Sequence, residues 1–418
     1  MTIAVVGGGA AGLYAAWHLA FDHDVILLEA DSRLGGHADT HTVEGADGPV
    51  RVDSGFIVFN RRNYPLFSAW LDALGVASRR TEMSFSVSNL GTGLEYNATD
   101  LNRLFCQRRN IFRPRFLGMV RDIFRFYRRA PALLERLDED VTLGQWLEDS
   151  GLGTAFAEDH LVPMACALWS APRDQVHRFP MRYLLTFMAN HGMLQVRGRP
   201  VWETVSGGSR TYVDAAAETF RGQLRLSTPV SRIRRQPHGV EIMAGGEILE
   251  VDQVVLACHS DQALAMLADP APAEREVLSA IGYQDNEAVL HTDPSRLPVH
   301  PGARAAWNVR LGEGRGEQCQ VSYSMNQLQG IETPEPLIVS LNQTGRIRPE
   351  SILARRRYAH PVHTPEAVAA QKRWSELNGV SRTWYCGAWW GWGFHEDAVA
   401  SARRVVEAIA PRARRLAA

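Results

Sequence analysis

The stretch that decides the fold is Ile3-Ala4-Val5-Val6-Gly7-Gly8-Gly9-Ala10-Ala11-Gly12-Leu13-Tyr14, followed by Asp24-Val25-Ile26-Leu27-Leu28-Glu29. The run Ile3 to Val6 predicts a buried strand, because parallel strands covered on both faces read as continuous apolar runs. Gly7-x-Gly9-x-x-Gly12 then opens an apolar helix, and a second strand ends on Glu29, seventeen residues beyond Gly12. Each part has a mechanical task in holding a dinucleotide. Gly7 permits the tight turn out of the strand. Gly9 lets the backbone approach a pyrophosphate with no Cβ in the way, and Gly12 lets helix and strand pack closely. Ala10 and Ala11 stand in the first turn, where free N–H groups and the positive end of the helix dipole meet phosphate. Glu29, with Ala30 beside it, is placed to accept ribose hydroxyls.

Directly after Glu29 come Arg33-Leu34-Gly35-Gly36-His37 and then Asp53-Ser54-Gly55-Phe56. Further along lie Ser206-Gly207-Gly208 to Val213, Leu226 to Ile242, Asp252 to Cys258, and Thr383-Trp384-Tyr385-Cys386-Gly387-Ala388 followed by Gly391 to Val399. This series resembles the FAD fingerprint of the flavin amine oxidase and phytoene desaturase superfamily, and it spans nearly the whole chain. The resemblance implies an α/β fold in which a Rossmann-like, GR2-type FAD-binding domain is interleaved with an α+β substrate domain. It implies non-covalent FAD, with contacts at Arg33, Gly35, Gly36, His37, Asp53, Gly55 and Phe56, and at Val230 beside the adenine. Around the flavin it implies Gly387, Ala388, Phe394, Glu396, Asp397, Ala398 and Val399. Two positions depart from the pattern. His37 stands where the superfamily often has Arg, and Ala388 stands where an acid commonly follows the strand glycine.

The strings NHGMLQV (190–196), SYSMNQLQG (322–330) and GWGFHED (391–397) resemble a narrower bacterial branch. That branch is associated with cyclopropane-fatty-acyl-synthase-like methyltransferases and with modification of membrane fatty acids. The resemblance implies a lipid or fatty-acyl substrate, desaturation of an unsaturated or methyl-branched chain, and a lipid methyltransferase as partner. Amine oxidation is the alternative, and an FAD-binding partner that presents lipid without turnover is another. Many amine oxidases of the superfamily hold a water near flavin N5 with a lysine. The single lysine here, Lys372 in AVAAQKRWSELNG, reads as a surface cation.

Composition sets the bounds. The 418 residues are 45% hydrophobic with a formal net charge of −1, enough for a large core and with no global bias toward nucleic acid. The five cysteines form no C-x-x-C pair and no metal-ligand cluster, so no metal is expected. Reduced thiols, entry into a strand at the first residues and the lack of a long apolar run predict a cytoplasmic protein. One segment is not neutral: Arg103 to Arg136 carries ten arginines against Asp122 and Glu135, with apolar residues at helical spacing. It reads as an ordinary helix with its arginines in water, as a surface for membrane lipid, peripheral on the inner membrane, or as a docking face for an acidic carrier protein.

The FAD motifs occupy residues 1–60, 200–265 and 375–418, leaving 61–199 and 266–374 as the substrate domain. The first part of that domain reads as helical, over 61–74, 116–137, 142–148 and 181–190, and the second as strands separated by Pro/Gly turns. His395, Glu396 and His191 are the candidate proton acceptors. For Glu396 and Asp397 helix capping or cofactor contact is the competing role, and for His191 a turn. Trp169, Phe187, Met188, Met193, Leu194, Trp202, Trp389, Trp390 and Trp392 are candidates to line an apolar substrate channel. His360 and His363 read as loop residues.

Overall fold

The structure is a computed structural model that describes residues 1–45, 48–312 and 319–411. Its first sheet is five-stranded and wholly parallel, in the spatial order Thr383–Tyr385, Gln253–Leu256, Thr2–Val6, Asp24–Leu28, Gln223–Arg225. Ile3, Ala4, Val5, Val254, Val255 and Leu256 are fully buried, which is why these segments read as unbroken apolar runs. The helix Ala10–Leu19 buries eight of its ten residues and packs against the C-terminal helix His395–Ile409 on one face of the sheet. The strand Thr2–Val6 hands the chain to Asp24–Leu28 on one side and is flanked by Gln253–Leu256 on the other. A crevice therefore opens at its carboxyl end, where an open parallel sheet receives its ligand.

A second, seven-stranded sheet has the order Ile352–Val362, Gly282–His291, Ile338–Leu341, Gln320–Ser324, Trp307–Leu311, Phe85–Asn89, Leu94–Asn97. It is antiparallel except where Phe85–Asn89 runs parallel to Trp307–Leu311. This differs from the expectation of a purely helical first part for residues 61–199. Ser78–Thr81, Phe85–Asn89 and Leu94–Asn97 are strands, and the last two complete the edge of a sheet built mainly from 282–362. The helices Pro65–Ala73, Pro114–Arg136, Leu143–Asp149 and Met181–Asn190 lie close to the expected spans. The last three enclose an apolar cluster around Phe126, Phe156, Trp169 and Phe187. His360 is not in a loop: it lies near the end of the long strand Ile352–Val362, opposite Gln284.

Candidate functional site

One cavity of about 780 Å³ runs from the glycine loop into the space beneath the seven-stranded sheet. Every strand of the parallel sheet delivers its carboxyl end to it. Gly7 to Ala11 follow the first strand, Glu29 and Ala30 the second, Thr228 to Ser231 the third, Ala257 to His259 the fourth and Gly387 to Trp389 the fifth.

The three glycines of the first motif differ in geometry. Gly7 has φ +105 and turns the chain out of its strand. A Cβ on Gly12 would lie 1.8 Å from the Gly7 carbonyl oxygen, so Gly12 is a packing position and does not line the cavity. A Cβ on Gly9 would meet nothing within 4 Å and would project into open cavity. Such a cradle, at the head of the helix Ala10–Leu19, fits the pyrophosphate of FAD. Glu29 lines the same end, its carboxylate fixed by the N–H groups of Gly8 at 2.6 Å and Asp31 at 2.8 Å. Val230 lines the cavity beside it.

Gly35, Gly36, Gly55 and Phe56 also line the cavity, and Gly35 donates to the Gly8 carbonyl at 2.8 Å. His37 is half-buried there, and its buried Nε2 has no hydrogen-bond partner. Its ring stacks on Tyr358 at 4.8 Å and lies 5.3 Å from His360 and 6.0 Å from His259. Burial, reinforced by the neighbouring imidazoles, holds His37 well below the usual histidine range. The ring is uncharged at neutral pH, where an arginine would be permanently cationic. At the opposite wall Gly387, Ala388, Phe394, His395 and Ala398 face the cavity. The first turn of the helix His395–Ile409 therefore lies at the cavity, where its positive end would favour negative charge on a flavin.

Residues 10–291 match the flavin containing amine oxidoreductase family. The chain belongs to that family. Its cofactor is therefore FAD, and the open cradle at Gly9 and the orphaned His37 Nε2 fit it. The flavin-dependent L-tryptophan oxidase RebO of Lentzea aerocolonigenes is 26% identical, over 91% of this chain and 87% of its own. AofH of Mycobacterium tuberculosis, provisionally assigned as a flavin-containing monoamine oxidase, is 26% identical over 66% of this chain, and the match spans only 61% of the relative's length. Among solved structures, a putrescine oxidase superposes with a TM-score of 0.70 at 16% identity, covering 99% of this chain and 100% of its own. A fatty acid isomerase from P. acnes superposes with a TM-score of 0.69 at 16% identity, covering 98% of both. Those two likenesses show the fold alone.

Several residues expected at the site do other work. Arg33 does not reach the cavity: its guanidinium donates to the carbonyls of Leu34, Gly36 and Ala38 and pairs with Asp39, so it shapes the loop whose Gly35 and Gly36 line the cavity. Asp53 is fully enclosed and accepts from Thr40 Oγ1 at 2.5 Å, Ser209 N–H at 2.9 Å, Ser209 Oγ at 2.8 Å and Gln329 Nε2 at 2.8 Å. It fastens the head of the helix Arg210–Thr219 to the second sheet's side of the molecule. Glu396 points away from the cavity and accepts from the N–H groups of Leu66 and Phe67, both at 3.0 Å, capping the helix Pro65–Ala73. Asp397 caps its own helix through Phe394 N–H at 2.9 Å, and burial pushes it up to about 7. Val399 is in the core behind it.

Of the three candidate bases, His191 lies outside the cavity, stacked on Phe187 at 4.0 Å with Nδ1 on the Phe187 carbonyl oxygen. His395 lines the cavity, yet its Nε2 is bonded to the Tyr212 hydroxyl at 3.0 Å and its ring stacks on Phe56 at 3.5 Å. Burial lowers it to about 3, so the ring is neutral at neutral pH and its Nε2 is already engaged by Tyr212. Of the channel candidates only Trp169, Trp389 and Trp392 reach the cavity. Phe187, Met188 and Trp390 are core, and Met193, Leu194 and Trp202 pack beside it.

Sequence reading missed Trp307, Tyr323, Leu341, Tyr358 and His360, which form the wall opposite the glycine loop. A signal existed for two of them. Arg355 and Arg357 are exposed, and the period of two puts Tyr358 and His360 on the inward side of that strand from Arg357 onward. Ser170, also in the wall, holds φ +52 at the end of the helix Val162–Trp169. A non-glycine residue in that conformation marks a constrained position at the cavity.

Proposed function

We propose that this protein is an FAD-dependent dehydrogenase that introduces a double bond into an unsaturated or methyl-branched fatty-acyl chain. One observation carries the proposal: among the described residues, Glu29 at the dinucleotide end is the sole charged side chain lining the cavity. The far wall is Ile57, Val58, Leu168, Trp169, Trp307, Tyr323, Leu341 and Trp392, with Ser170, Tyr358 and His360 as its uncharged polar groups. Such a lining offers no carboxylate to an ammonium group and no arginine to an amino-acid carboxylate. It suits an uncharged apolar chain, whose burial gains about 0.8 kcal/mol per CH₂.

FAD supplies a two-electron acceptor for the hydride lost from an allylic carbon. The protein's share is to hold the chain along the aromatic wall, exclude water and receive the proton released from the neighbouring carbon as the double bond forms. No carboxylate faces that end, so the proton leaves to water or to a neutral cavity imidazole. His360 is held with Nδ1 accepting from Asn286 Nδ2 at 2.9 Å, which leaves its Nε2 as a donor. His37 is the imidazole with an unengaged nitrogen.

The second reading is oxidation of a neutral amine, favoured by the descriptions of the two sequence relatives and compatible with an uncharged aromatic wall. An anaerobic titration of the yellow protein separates the readings. Flavin bleaching by phospholipids with unsaturated or methyl-branched chains, and not by a panel of amines and amino acids, supports the proposal. Bleaching by amines alone overturns it. Bleaching by neither transfers the argument to a non-catalytic role beside a lipid methyltransferase.

A further inference from the structure

The helix Pro114–Arg136 has two faces with different tasks. Its inner face, Phe126 and Ala130 with Ile123 and Tyr127 beside them, packs in the same apolar cluster as Trp169 and Phe187. Trp169 is itself a wall of the cavity. Its outer face is formed by Leu117, Arg121, Phe124 and Arg128, spaced by four, three and four residues and therefore one above another. Phe124 is 53% exposed and Leu117 43%. The preceding turn Arg108–Phe112 adds Phe112, which is 85% exposed, and Ile111 at 45%.

The charge around these apolar side chains is one-sided. Asp122 is buried and already held by Arg121, Arg125 and the Gly153 N–H. Arg115 is paired with Glu158 and Asp159, and Arg103 with Glu82 and Asp100. Arg108, Arg109, Arg113 and Arg128 make no ion pair among the described residues, so their charge is uncompensated. Beyond these paired acids, the next acidic side chains along the segment come at its end, Glu135 and then Asp138, Glu139 and Asp140, with Glu139 engaged by Lys372 and Arg182. Exposed phenylalanines standing singly among unpaired arginines match a surface that inserts apolar tips at the acyl boundary while cations meet phosphate.

We propose that the outer face of Pro114–Arg136, together with Arg108–Phe112, docks on an anionic phospholipid bilayer. Docking there sets the lipid about one helix diameter, ~10 Å, from the aromatic cluster that walls the cavity. The inference stands on the surface alone and does not depend on which substrate is oxidised.

The test is flotation of the full-length holoprotein with vesicles of phosphatidylglycerol and phosphatidylcholine, against vesicles of phosphatidylcholine alone. The expected result is binding to the anionic vesicles only, weakened by raised salt. At about 5-fold per arginine, Arg108→Gln with Arg128→Gln should weaken binding about 25-fold. Phe112→Ser with Phe124→Ser should also weaken binding and should leave the salt dependence unchanged. Flavin absorbance and circular dichroism establish that each variant is folded. Absence of binding to anionic vesicles overturns the proposal, and so does equal binding by folded variants. Self-association in sedimentation that the Phe112/Phe124 variant abolishes, without vesicle binding, assigns the face to a second copy of the chain and equally overturns it.

Discussion

Two glycines within six residues of the first strand should respond oppositely to a side chain, and the contrast tests the cofactor geometry. Gly9 is the N-cap of the first helix at φ −74, ψ −176, an extended conformation that any residue adopts. Gly9→Val should therefore leave the apoprotein folded, at a cost of about 1 kcal/mol or less for the poorer cap. The added branch fills the one direction in which nothing lies within 4 Å. It displaces phosphate from the helix N–H groups, and losing two charge-assisted hydrogen bonds at roughly 1.5–3 kcal/mol each amounts to about 3–6 kcal/mol, or ~10²–10⁴-fold in FAD affinity. Gly12→Ala has the reverse profile. Within a helix this change by itself gains about 1 kcal/mol. Here the new methyl would stand 1.8 Å from Gly7 O and 3.1 Å from Ala257 Cβ, so helix and strand must separate. Overpacking of this kind costs roughly 1–3 kcal/mol or more, so the net effect is a lower apoprotein Tm. Thermal unfolding of the two apoproteins and titration with FAD, followed by quenching of its fluorescence, measure both effects. Wild-type FAD affinity in Gly9→Val, or a Tm at or above wild type in Gly12→Ala, would refute the reasoning.

Glu396→Ala should leave flavin reduction by a productive substrate unchanged while lowering stability by about 1–3 kcal/mol, because the N–H groups of Leu66 and Phe67 lose a charged acceptor; a large fall in reduction rate with an unchanged unfolding midpoint would contradict the capping role. Asp53→Asn keeps the shape but turns an acceptor into a donor facing Ser209 N–H and Gln329 Nε2, so urea unfolding should show a loss of roughly 2–4 kcal/mol. The pH profile follows from the buried histidines. Burial lowers His360 and His363 to about 4 and His395 to about 3, against about 6.5 in the unfolded chain. The unfolded state therefore takes up protons first: stability is complete above about pH 6.5 and declines as pH falls toward 4, by on the order of 1.4 kcal/mol per pH unit for each such histidine. Chemical denaturation of the apoprotein between pH 7.5 and 5 measures that slope, and a flat profile would contradict the burial of these rings.

The first strand, the glycine loop, its helix and Glu29 were legible in order along the chain because each is a local device: a turn, a close approach, a cap and an apolar run all lie within thirty residues. The same holds for the helix Pro114–Arg136, whose period is written in its own residues. Arg33, Asp53 and Glu396 sit in recognisable motifs, yet their side chains turn to the Gly35 loop, to Ser209 and Gln329, and to the helix Pro65–Ala73. A motif gives a position along the chain, whereas the directions of Asp53 and Glu396 depend on donors that arrive from distant segments. The Asp53–Gln329 bond spans 276 positions and the Glu396–Phe67 bond 329.

The sequence by itself determined the dinucleotide-binding half, because the pyrophosphate cradle needs only contiguous backbone and the absence of a Cβ at Gly9. Tertiary structure alone decided the other half of the cavity. Trp169, Trp307, Tyr323, Leu341 and Tyr358 come from five separate elements or their ends, and each taken singly is indistinguishable from core. Their apolar, nearly uncharged wall exists only after the seven-stranded sheet closes over the parallel one, since burial is a property of the packed chain and not of any residue within it.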